Sequence, residues 1–142
     1  MEFFYNFIAN LRDSFFKTNN LLDLRAKLIA SMIVVIKDDK PQLEQLLKNI
    51  IKDTYKSNFR RNLFLAVIKN YAKMAKNDVL GVDRLLNDIK KAIIKNPKYK
   101  SAINFAQLKK LILKKTINEG ETEIEDYSQI RVLEFLKNEV IK

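Results

Sequence analysis

Carboxylates carry whatever chemistry this chain could do. Asp38, Asp39 and Glu44 form one group, and Asp78 and Asp83 form a second, each set around a short polar turn. Glu44 stands six residues after Asp38, and Asp83 stands six after Asn77. Side chains of this type at a turn followed by an amphipathic stretch suit helix capping and the positive end of a helix, an interaction of about 0.3–1 kcal/mol each. A third acidic group, Glu119, Glu121, Glu123, Glu125 and Asp126, lacks the EF-hand spacing and its central glycine, so it is expected as an exposed acidic loop.

Other chemistries are excluded by residue type. The chain has no histidine and no cysteine, which removes Ser-His and Cys-His nucleophile pairs, His/Cys zinc sites and any disulfide framework. Its two glycines, Gly81 and Gly120, are too few and too far apart for a P-loop or a dinucleotide fingerprint. Catalysis would have to rest on carboxylates and a metal, and the chain reads as non-enzymatic.

Basic residues form the other conspicuous set. The net charge of +10 is unevenly placed: residues 48 to 76 carry +7, and residues 89 to 118 carry +9 without one acid, while residues 119 to 142 carry −4. The second block holds Lys90, Lys91, Lys95, Lys98, Lys100, Lys109, Lys110, Lys114 and Lys115. Such blocks serve as solvated, solubilising helix faces or as contact surfaces for an anionic partner, either an acidic protein surface or nucleic acid. No zinc finger, RRM signature or aromatic-interleaved strand organises them for nucleic acid. At helical pitch Lys91, Lys110 and Lys114 fall opposite the apolar stripes of their segments and are expected to face solvent.

These residues need helices to position them. Leu28 to Ile36, LIASMIVVI, is apolar on nearly every face and predicts a helix surrounded by others, within a helix from about 21 to 37. Nine uncharged residues fall far short of the roughly 20 that span a bilayer, so no transmembrane segment is expected. Phe3, Phe4, Phe7, Ile8, Leu11 and Phe15 predict an amphipathic first helix to about Lys17, and the start, with Glu2 in place of a basic residue, does not resemble a signal peptide. A cytoplasmic protein is expected. Pro41 at a first turn opens a helix carrying Leu43, Leu46, Leu47, Ile50 and Ile51, and after Ser57 a fourth helix should turn Phe59, Leu63, Phe64, Val67, Ile68 and Tyr71 toward the core.

An offset of 39 residues lays 28 to 52 on 67 to 91, matching Ile29 with Ile68, Asp39 with Asp78, Leu46-Leu47 with Leu85-Leu86, and Ile50 with Ile89. Each copy is a helix, a short acidic turn and an amphipathic helix with a Leu-Leu pair, which points to an internal duplication. A fainter third copy would run from the stripe Phe105, Leu108, Leu111, Ile112 through Glu119-Gly120 to a last helix capped within Thr122 to Glu125 and bearing Ile130, Leu133, Leu136 and Val140.

The duplicated pairs with their acidic turns resemble the TerB-like family of tellurite-resistance and DnaJ-associated helical domains, over about residues 21 to 95. Members of that family carry an Asp-Gly turn followed by a Glu. Here Asp39 takes the place of the turn glycine, Asn77-Asp78 stands for Asp-Gly, and Asp83 stands for the Glu. The resemblance implies that two adjacent turns could share a hard cation, Mg²⁺ or Ca²⁺, through Asp38, Asp39, Glu44, Asp78 and Asp83. No other cofactor is implied. The expected fold is all-α: one domain over residues 1–142, a bundle of six or seven helices with an internal helix-pair repeat, the alternative being a short HEAT-like α-solenoid. The expected function is a non-enzymatic interaction module contacting an acidic protein partner, the alternative being a nucleic-acid-binding helical protein.

Overall fold

Leu28 to Val34 lies buried residue after residue, and Ile36 beyond it is buried too, so this helix has no solvent face along its second half. That is the outcome its uninterrupted apolar composition requires, because a helix hydrophobic all round must be enclosed. In the computed structural model, which describes residues 20–36, 41–117 and 122–140, it is α1 (Asn20–Val34). The remaining helices are α2 (Pro41–Thr54), α3 (Asn58–Lys76), α4 (Gly81–Lys95), α5 (Phe105–Lys109) and α6 (Tyr127–Phe135), with a 3₁₀ turn at Pro97–Ala102 and a π-helical turn at Leu136–Val140. Helices α3, α4, α5 and α6 all pack on α1. A solenoid helix would touch only its neighbours in sequence; the fold is an all-α bundle. The expected first helix, the turn at Asp38-Asp39 and the turn at Glu119-Gly120 lie outside the described residues.

Nearly all the buried hydrophobic side chains join one cluster, which includes the fully buried Phe64, Met32, Ile68, Ile89, Ile93, Leu111 and Leu136. Tyr55 meets Phe64 edge-on, ring centroids 5.0 Å apart at 87°. Truncating a ring buried like Phe64 costs about 3–5 kcal/mol.

Local signals set the helix ends. Pro41 is the first residue of α2. Ser57 caps α3 by accepting from the Arg60 N–H at 3.2 Å. At the other end of α2, Thr54 Oγ1 donates to the Ile50 carbonyl at 2.7 Å, and Arg61 donates to the carbonyls of Lys52 and Tyr55, placing a cation at the negative end of that helix. Phe59 departs from expectation: it stays 63% exposed in the first turn of α3, where the helix has not yet reached the core.

The 39-residue offset carries α2 onto positions 80 to 93, and α4 spans Gly81–Lys95. Leu47 and Leu86 are both buried, as are Ile50 and Ile89. The two pairs pack differently, however: α3 lies along α4, whereas α2 is set against α3. Gly81 permits the close α3–α4 contact, since a Cβ there would stand 2.0 Å from the Ala75 carbonyl oxygen.

The expected third helix pair is absent in that form. Helix α5 ends at Lys109, and the chain becomes extended as β1 (Lys114–Ile117), paired antiparallel with β2 (Thr122–Glu125) in the register Lys114 to Glu125 and Ile117 to Thr122. Thr and Ile on both strands favour a pleated backbone over a helix. Asp126, not Thr122, caps the last helix, accepting from the Gln129 N–H at 3.1 Å.

Candidate anionic-partner groove

Helix α2 presents two adjoining stripes. One, Leu47, Ile50 and Ile51, enters the core. Beside it Gln42, Leu46, Asn49 and Asp53 follow at three and four residues and form one wall of an open groove. The opposite wall is Ala106, Lys109 and Lys110 of α5 and its last turn, continued by Ile112 and Lys114 where the chain straightens into β1. The groove encloses about 760 Å³.

Four lysines border it: Lys52 from the first basic block and Lys109, Lys110 and Lys114 from the second. All four side chains are exposed, and among the described residues Asp53 is the one acid that lines the groove with them. Their floor is aliphatic, made by Leu46, Ile50, Ala106 and Ile112. Lysine stems lie well along such a surface while their ammonium groups stay in water. The arrangement can attract a negatively charged chain and bury apolar side chains beneath it.

The structure therefore divides the second basic block. Lys90, Lys91 and Lys95 stand on α4, and Lys98 and Lys100 on the 3₁₀ turn, apart from the groove walls. Lys91, Lys110 and Lys114 are exposed as expected, though Lys114 sits on a strand and not on the helix expected for it. Lys115 belongs to β1, opposite Ile124. Sequence reasoning missed Lys52, whose only signal was its place on α2 next to the core stripe.

The carboxylates have other partners. Glu44 pairs with Lys69 at 3.6 Å. Asp78 accepts from the Leu80 N–H at 3.1 Å and pairs with Arg84 at 2.6 Å, which makes it a turn and helix-start residue. Asp83 lies exposed in the first turn of α4, and Asp38 and Asp39 lie outside the described residues. Among the described residues no three acids come together to hold a metal ion. Of the last acidic group, Asp126 is a helix cap and Glu125 faces Lys114 across the ribbon. Among the described residues no helix is long and apolar enough to cross a membrane.

No family model, no curated protein and no solved structure matches this chain.

Proposed function

We propose that the protein is a non-enzymatic interaction module of the TerB-like kind, and that its groove between α2 and α5 takes an acidic segment of a protein partner. The observation that carries this reading is the groove's two-part chemistry, four exposed lysines over an aliphatic floor. An amphipathic acidic helix supplies both complements, apolar anchors for the floor and carboxylates for the rim. Single-stranded nucleic acid would draw on aromatic platforms for its bases, and among the described residues no aromatic one lines the groove.

Fluorescence anisotropy with a labelled Glu/Leu amphipathic peptide tests the proposal. The peptide should bind at low salt, and Lys52→Glu with Lys110→Glu should weaken it by about tenfold or more, as expected when two rim charges change sign. Binding of duplex DNA without binding of the peptide would favour the nucleic-acid reading, for which the lysines of α4 and the 3₁₀ turn are the support.

A further inference from the structure

Helix α5 is a ridge with a depression on each side. Opposite the lysine groove lies a separate cleft of about 500 Å³, where Arg25 of α1 faces Asp53, Thr54, Ser101, Asn104 and Gln107. Arg25 is half-buried, and its single hydrogen bond runs from Nη1 to the Tyr55 hydroxyl at 3.5 Å, the outer limit for such a bond. Among the described residues no carboxylate pairs with it, although Asp53 lines the same cleft and is itself without an ion pair. A guanidinium carries five donors in a planar fork. Held partly away from water with one long bond, it suits a carboxylate, whose two oxygens match that fork.

The remaining lining narrows the ligand. Thr54 Oγ1 is committed, donating to Ile50 and accepting from Gln107 Nε2 at 3.0 Å. Asn104 Oδ1 accepts from the Gln107 N–H, which leaves its amide NH₂ to donate, and Ser101 Oγ donates to the Lys98 carbonyl, which leaves its lone pairs to accept. Among the described residues the charged lining is one Arg and one Asp, so a dianion would meet an uncompensated like charge, whereas a zwitterion meets a complement at each end. Lys137 does not line the cleft; its Nζ lies 5.6 Å from the centroid of the Phe105 ring, which does. The volume is that of a site for a small molecule.

We propose that this cleft binds a free amino acid, its carboxylate on Arg25, its ammonium group on Asp53 and its polar side chain against Ser101 and Asn104. The reading is independent of the lysine groove, with which it shares Asp53 alone among the described lining residues.

Isothermal titration of the full chain with L-serine, L-asparagine, L-glutamine, their N-acetyl derivatives and inorganic phosphate tests it. At least one free amino acid should bind one per chain with Kd of about a few millimolar or tighter. N-acetylation, which removes the ammonium charge, should weaken that binding by about tenfold, and Arg25→Lys, which loses the fork, by a similar factor. Asp53→Asn should weaken the free amino acid and leave its N-acetyl derivative unchanged. The proposal falls if no free amino acid binds the folded wild-type chain up to about 10 mM, if acetylation has no effect, if Arg25→Lys in its folded form binds as wild type does, or if phosphate binds more tightly than every amino acid. The acetylation comparison uses the wild-type chain alone, so it decides the matter even if Arg25→Lys fails to fold.

Discussion

Gln129 of α6 donates from Nε2 to the backbone carbonyl of Met32 in α1, 97 residues away, at 2.9 Å. The same nitrogen donates to the Leu111 carbonyl at 2.7 Å, and Oε1 accepts from the Leu113 N–H at 2.7 Å. One fully buried amide thus ties the core helix, the segment before β1 and the last helix together.

Gln129→Leu should be among the most damaging conservative-sized changes in the chain. It leaves three buried backbone groups short of a partner, each costing about 1 kcal/mol or more, so a loss of about 3 kcal/mol is expected by urea denaturation. Gln129→Glu should also destabilise, because an ionised carboxylate keeps the acceptor but meets two carbonyl oxygens where Nε2 donated. A stability within about 0.5 kcal/mol of wild type for either variant would contradict the clip.

Gly81→Ala should cost about 1–3 kcal/mol, the range for overpacking, because the new methyl would meet the Ala75 backbone and force α3 and α4 apart. The effect should appear as a lower Tm with an unchanged far-ultraviolet helical signal, since backbone at Gly81 is already helical. An unshifted Tm would refute the close approach.

Asp78 does two jobs that substitution can separate. Asp78→Asn keeps an acceptor for the Leu80 N–H and loses only the largely exposed pair with Arg84, so the cost should stay below about 1 kcal/mol. Asp78→Ala loses both and should cost about 1–2 kcal/mol. The cation reading of the turns has its own signature: millimolar Ca²⁺ or Mg²⁺ should raise the Tm, more so in Arg84→Ala, where the carboxylate is released, and not in Asp78→Asn. Melting curves indifferent to both cations would leave Asp78 as a turn residue.

The lysine groove predicts a positional contrast. Lys52→Glu with Lys110→Glu should weaken an acidic peptide, whereas Lys91→Glu with Lys95→Glu, the same change of charge on α4, should have little effect at physiological salt, where the Debye length is about 8 Å. If the ligand is nucleic acid instead, log K should fall with log salt by about 0.9 per neutralised phosphate, and both pairs should lower the slope.

Much of the bundle was legible because its signals are local. Leu28 to Ile36 has no polar face to show, Pro41 and Ser57 mark helix starts, and the Leu-Leu pairs sit at the apolar register of α2 and α4. The ribbon was missed because Phe105, Leu108, Leu111 and Ile112 also satisfy a helical spacing, and only Thr116, Ile117, Thr122 and Ile124 around an Asn-Glu-Gly stretch argue for strands. Gln129 carries no local signal of its role, since nothing near it in sequence says that three backbone groups from elsewhere converge on it. The lysine groove has the same cause: Lys52 and Lys110 become neighbours of one groove only once α2 and α5 have packed, and periodicity within a helix does not state which faces will meet.

The long reach from Met32 to Gln129 also bears on how the chain is made. A ribosome delivers Met32 of α1 97 residues before Gln129 of α6, so the apolar core helix waits through that interval with part of its surface uncovered. Helices α3 and α4 can shelter two sides of it as they emerge, but the side that α6 covers stays open until α6 itself leaves the exit tunnel. Closing so long a loop adds little to the equilibrium cost yet delays the last step of folding. During that interval the nascent chain is a natural client for chaperones that hold exposed aliphatic surface.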